Sequence, residues 1–257
     1  MNKQQESWNE ARAAEAAREM ESAGVEQLLR WAGDHFLPGL GFASSFGAED
    51  VVLIDWIARL KLPIRIFTLD TGRLPEETYE VIDAVRKRYG VAVESFFPER
   101  SAVEKLEREK GMYSFRESVE NRKECCRIRK VEPLGRALKG LAAWITGQRR
   151  EQAVTRTRLA KVEWDAAHGG KVKLNPLADW STDQVWEHIR KFKVPVNKLH
   201  AAGYPSIGCA HCTRAVRPGE DIRSGRWWWE RPEHKECGLH LPAPPKRSGG
   251  VGPPPRK

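Results

Sequence analysis

Five cysteines hold most of the chemical potential of this 257-residue chain. Cys125 and Cys126 are adjacent in ECCRIRK, Cys209 and Cys212 are two residues apart in GCAHCTR, and Cys237 stands by itself in HKECGLH. A bond between Cys125 and Cys126 would close a strained ring, because neighbouring side chains diverge and a disulfide demands a fixed torsion. An odd, small number of cysteines also fits a secreted disulfide framework poorly, which favours metal binding or redox chemistry. The Cys-x-x-Cys spacing alone is shared by zinc knuckles, redox pairs and iron-sulfur ligands. The adjacent pair shifts the balance: structural zinc takes spaced pairs, whereas an iron-sulfur cube offers separate corners to neighbouring ligands. Gathered thiolates need cations to offset their repulsion, and Arg127, Arg129 and Lys130 follow the pair directly. Cys237 differs in having His234, Lys235 and His240 around it, which favour its thiolate and suit it to nucleophilic attack. Gly238 and the prolines beyond suggest a mobile end able to close over a ligand.

Alternating strands and helices must position these residues. Apolar runs at 40–46 (LGFASSF), 62–72 (LPIRIFTLDTG), 91–97 (VAVESFF) and 141–147 (LAAWITG) read as strands. Helical spacing marks 25–36, 48–60 and 74–90, the last closed by Gly90. The implied fold is α/β, a Rossmann-like parallel sheet with helices on both faces. Ligands of such sheets sit beyond the carboxyl ends of the strands, where this chain has SSFGAED, LDTGR and TGQRREQ. Together these segments suggest a nucleotide-shaped cleft. Neither the dinucleotide fingerprint nor a Walker loop is present, which argues against nicotinamide enzymes and ordinary NTPases.

Around this domain, expected over 25–241, residues 1–24 read as a helical appendage, polar and alanine-rich. Residues 242–257 (PAPPKRSGGVGPPPRK) read as a disordered basic tail, with too few apolar groups to fold. Lysine and arginine outnumber acidic residues 44 to 35, a net charge of +9 that favours anionic partners. No apolar run approaches the roughly 20 residues that span a bilayer, and the start has no signal pattern, so a cytoplasmic protein without a membrane partner is expected.

The order ECCRIRKVEPL, GCAHCTR, HKECGLH resembles the assimilatory adenylyl-sulfate reductases, the cluster-bearing branch of the phosphoadenylyl-sulfate reductase family. SSFGAEDVVL, LDTGRLPEETY, ITGQRR, NPLADW and GRWWWE are family-like segments in the same order, and the likeness runs from about Gly41 to His240. The resemblance implies an adenine nucleotide alpha hydrolase-like fold and reduction of adenosine 5'-phosphosulfate to sulfite and AMP, with thioredoxin as reductant, in sulfate assimilation and cysteine biosynthesis. It implies that Cys125, Cys126, Cys209 and Cys212 ligate one [4Fe-4S] cluster per chain. Cys237 would be the nucleophile that forms an S-sulfocysteine. Arg149, Arg156, Arg223 and Arg226 would contact the phosphosulfate, and Lys130 would lie between cluster and substrate. Ser45, Asp50, Thr71 and Gly147, with the backbone of Leu69, would hold the nucleotide, and His240 would join the substrate site. Arg223 and Arg226 are expected to be cleft residues with little part in stability. Plant relatives carry a fused thioredoxin-like domain, so a separate thioredoxin is expected here.

Two departures stand out. Other cluster-bearing members have a histidine shortly before the paired cysteines, where this chain reads NRKECC, and Phe46 precedes Gly47 where some relatives have serine. The nearest alternative is a cluster-bearing phosphoadenylyl-sulfate reductase or an enzyme accepting both nucleotides. An adenylating PP-loop enzyme would need an SGGxDS-like run that SSFGAED lacks. A zinc-stabilised nucleic-acid module suits the charge, yet part of the excess sits in the tail and the remainder is intermingled with acids, and no nucleic-acid partner is expected. The sequence leaves the oligomeric state open, a homo-oligomer included. WWW (227–229) reads mainly as packing, with one ring bordering the substrate or a docking partner, and His168 as a loop residue.

Overall fold

The computed structural model describes residues 8–153, 156–231 and 238–239; the tail at 242–257 lies outside the described residues. The four apolar runs form β1 (Leu40–Ala43), β2 (Arg65–Leu69), β3 (Val93–Phe96) and β4 (Ala143–Ile145). Two further strands, β5 (Val162–Asp165) and β6 (Lys171–Leu174), complete a six-stranded sheet in the order β3-β2-β1-β4-β6-β5. Neighbours are parallel except β5 and β6, which form an antiparallel hairpin at one edge.

Strand residues alternate between two cores, as a period of two requires. Ile66, Ala143 and Ile145 face a large core shared with helices α1 (Glu10–Met20), α2 (Val25–Phe36), α3 (Ala48–Arg59), α4 (Glu76–Tyr89) and α8 (Thr182–Phe192). Phe67 and Trp144 face the opposite core, which Leu134 and Ala137 of α7 (Glu132–Ala137) cover. Helices therefore lie on both faces. Between β3 and α7 run α5 (Arg100–Lys110) and α6 (Val119–Cys126).

The β5–β6 hairpin carries no apolar run. Lys173 is nevertheless buried, because it sits opposite Glu163 in the ladder and pairs with it at 3.0 Å. Its turn is held by Asp165, which accepts from the His168 amide and contacts His168 Nδ1 at 2.7 Å, so His168 is a turn residue as expected. The N-terminal segment is more than an appendage: Ala13 and Ala16 of α1 are buried in the main core, and the Ala23 carbonyl accepts from Lys161 Nζ. Alanines that look merely helix-favouring are the face that allows close approach to the hairpin.

Candidate active site

A cavity of about 790 Å³ opens beyond the carboxyl ends of β1, β2 and β4. Its walls contain every expected substrate residue among those described: Ser45, Asp50, Leu69, Thr71, Lys130, Gly147, Arg149, Arg156, Arg223 and Arg226. Cys209 lines it too.

The loop after β1 is shaped by Asp50, which accepts from the Ser45 amide at 2.5 Å and the Ser45 hydroxyl at 2.7 Å. Phe46 takes the left-handed conformation, φ 58°, and buries its ring in the core. That conformation is uncommon for a bulky residue, and packing is what sustains it. A serine there would lack the anchor, so the departure at Phe46 has a packing role. Burial raises Asp50 to about 7 despite the Ser45 bonds that oppose it. Gly147 meets this loop from β4, where a Cβ would run into the Asp50 carboxylate.

The loop after β2 connects the cavity to the thiols. Gly72 takes φ 69°, and its amide donates to Asp70, which also accepts from the Tyr79 hydroxyl. Thr71 Oγ1 lies 3.3 Å from Cys209 Sγ, and the Ala210 amide donates to the Arg73 carbonyl at 2.8 Å. The segment holding Cys209 and Cys212 is thus tied to the nucleotide loop.

α6 ends at Cys126 and passes through a π turn, Arg127–Val131, before α7. Such turns occur mostly as single interruptions at functional positions. Cys125, Cys126 and Cys209 are buried, while Cys125 and Cys212 share one apolar cluster with Phe115 and Trp229. Burial, partly offset by Arg73, Arg129 and Lys130, raises the Cys125 thiol. Burial would also raise Cys209, but Lys130, the Thr71 hydroxyl, Arg226 and Arg73 outweigh it and hold that thiol below its ordinary value. Burial and the charge of Cys209 push Cys212 up to about 12. Such mutually repelling thiols form a donor set that a cationic core would neutralise. Among the described residues no three ligands gather tightly enough for a single metal ion. The two thiol pairs do act on one another, Cys209 on Cys125 and Cys126 on Cys212.

The expected cations are not alike. Arg149 lines the cavity but is buried, its guanidinium taken up by Glu49 at 2.8 Å, the Trp180 carbonyl and Thr182. Arg156 reaches Gln152. Lys130 is half-buried on the cavity wall and acts electrostatically on Cys125, Cys209 and Cys212. Arg226 is buried, donates to Ser206 and the Ile207 carbonyl, and lies 4.8 Å over the Trp227 ring. It is therefore more structural than its expected role as a simple cleft residue, whereas Arg223 is only half-buried. Of the three adjacent tryptophans, Trp227 lines the cavity, Trp229 packs against Phe115, and Trp228 is exposed. Arg127 is exposed, but Arg129 is buried, donating to the Thr71 carbonyl and Glu107. Sequence reading missed Arg73, which acts on both Cys125 and Cys209 and had no signal beyond its place in LDTGR. Cys237 and His240 lie outside the described residues; between them, Leu239 lines the cavity.

The phosphoadenosine phosphosulfate reductase domain matches residues 40–215. This chain belongs to that family. An adenosine 5'-phosphosulfate reductase of Allochromatium vinosum is 55% identical over 220 residues, covering 86% of this chain and 85% of its own. Its counterpart in Burkholderia cepacia is 58% identical over 200 residues, covering 78% and 80%. The crystal structure of a Candida auris phosphoadenylyl-sulfate reductase in a phosphate complex superposes with a TM-score of 0.70 at 28% identity, over 82% of this chain and 99% of that one. The matched domain takes in both thiol pairs and stops short of Arg223, Arg226 and Cys237. No helix among the described residues is long and apolar enough to cross a membrane.

Proposed function

We propose that this protein reduces adenosine 5'-phosphosulfate to sulfite and AMP, in the cytoplasm, with thioredoxin as the electron source. The observation that carries the reading is one cavity, beyond the strand ends of the parallel sheet, lined by Lys130, Arg156, Arg223 and Arg226 together with Cys209. The resemblance of the sequence and the names of its relatives supply the nucleotide.

A thiolate approaching a sulfate ester beside a phosphate meets like-charge repulsion, so cations must be in place before the reaction begins. Lys130, Arg156, Arg223 and Arg226 meet that need, and the planar fork of arginine holds two oxygen atoms at once. Arg149, gripped by Glu49, acts by fixing the shape of the wall. The Cys237 thiolate attacks the sulfonyl sulfur; a Cys237 S–S bond forms, the bond from sulfur to the bridging oxygen breaks, and AMP leaves with that electron pair. One thioredoxin thiolate then attacks the Cys237 sulfur, and sulfite departs with the electrons of the S–S bond. The second thioredoxin thiol resolves the mixed disulfide, leaving oxidised thioredoxin and a free Cys237. Cys125, Cys126, Cys209 and Cys212 would hold a [4Fe-4S] cluster, which supplies electrostatic support while thiols carry both electrons. Release of sulfite from each nucleotide in the presence of reduced thioredoxin tests the reading. Preferred turnover of adenosine 5'-phosphosulfate is expected; preference for the 3'-phosphorylated nucleotide would make this a phosphoadenylyl-sulfate reductase.

A further inference from the structure

Arg122 and Glu230 form an ion pair whose side chains retain 1% and 3% of their exposure. Arg122 Nε donates to one carboxylate oxygen at 2.9 Å and Nη2 to the other at 2.8 Å, a two-pronged grip across 108 residues of sequence. Arg122 stands four residues before Cys126 on α6, so both side chains share one helix face. Its guanidinium also hydrogen-bonds the Cys126 side chain and lies 4.8 Å over the Trp227 ring. Trp227 in turn holds the other thiol pair, its amide donating to the Cys212 carbonyl at 3.1 Å, from a backbone at φ 42°. Such a pair is a poor device for stability alone, because apolar side chains of similar volume commonly do as well. Nor does it add net charge beside the thiols, as Glu230 cancels Arg122. What remains is a directed N–H donor, fixed in place by the carboxylate.

We propose that Arg122, aimed by Glu230, is a positioning residue for Cys126, donating to its sulfur and thereby setting the strength with which that thiolate binds the cluster. The inference rests on the cluster reading above. Hydrogen bonds to cluster sulfurs and local charge both tune such centres, so the two partners have separable effects. In protein purified without oxygen, R122Q/E230Q removes the pair without stranding a buried charge. The expected result is a folded protein that loses iron to a chelator several-fold faster than the parent, with altered Fe–S stretching frequencies in resonance Raman spectra. Unchanged frequencies and iron retention per folded chain would assign the pair to packing and overturn the proposal. E230Q is the second arm: it leaves Arg122 uncompensated and should move the cluster potential to a more positive value, and an unmoved potential also counts against it. A parent protein lacking inorganic sulfide would refute the cluster reading, and this inference with it.

Discussion

The turns of the cavity loops are shaped by near neighbours in sequence, Ser45 bound to Asp50 and Gly72 to Asp70, even where the wall beside them is tied to distant residues, as Arg149 is to Glu49. The thiol region is held across distance: Arg129 reaches Thr71 over 58 residues, Arg122 reaches Glu230 over 108, and Thr71 reaches Cys209 over 138. A local loop can lose one contact and keep its shape. A junction of three remote segments around buried thiols cannot, since removing one member leaves others buried without their partners. The two regions should therefore respond differently to single substitutions.

The largest effect is expected at the junction. Protein purified without oxygen should hold about four irons and four sulfides per chain. Cys209→Ser should lose both, and all turnover with them, as read by metal and sulfide analysis beside a sulfite assay. A serine variant that keeps its cluster would erase the contrast between the regions.

Arg223→Ala probes the cavity without the junction. Loss of a cation that meets developing charge should cost about 2 to 4 kcal/mol in kcat/KM. Its Tm should hardly move because the side chain is half-buried. A large fall in Tm with near-normal kinetics would transfer Arg223 to the structural class that Arg149 occupies.

Gly208→Ala sharpens the comparison at the border. A Cβ there would run into the Arg226 guanidinium, and shifting that group loosens its bonds to Ser206 and the Ile207 carbonyl, with a loss of stability expected to stay below the kinetic loss. The expected loss in kcat/KM is about 1 to 2 kcal/mol, or roughly tenfold. Paired kinetic and thermal measurements decide it; an equal or larger loss of stability would show that Arg226 is there to hold the loop.

A further contrast is a pH dependence. Asp50 rises from 3.8 to about 7 on folding. The unfolded chain releases this proton above about pH 4 and the folded chain only near 7, so the folded state binds more protons in between. The Asp50 contribution to stability should fall as pH climbs from about 4 to 7 and then level off. Asp50→Asn cannot ionise and should remove that slope from the Tm-against-pH curve. Parallel curves for parent and variant would place the Asp50 carboxyl in a wetter site than the one described.

Legibility in the sequence follows the same division. β1, β2 and β4 were readable as short apolar runs buried in the sheet, β3 by the apolar residues that flank its exposed Glu94 and Ser95 at the sheet edge, and the cleft followed from the loops at their ends. β5 and β6 were not, since Lys173 and Glu163 look like surface residues until the ladder sets them opposite one another. The thiol pairs were visible by type and spacing, as were the basic residues beside Cys126. Which of those bases act was hidden: Arg129 turns inward through the π turn while Arg127 stays exposed, and Arg122 depends on a glutamate 108 residues away. Pairings between remote segments leave no periodic trace along the chain.

The most direct measurement maps the covalent intermediate. Protein incubated with adenosine 5'-phosphosulfate and no reductant should release one AMP per active site and carry one sulfonate, which peptide mass spectrometry should locate on Cys237. Reduced thioredoxin should then free sulfite, and Cys237→Ser should form no adduct while keeping its cluster and its affinity for the nucleotide. A sulfonate on Cys209 or Cys212, or turnover by the serine variant, would contradict the division of labour between four thiols that hold and one that reacts.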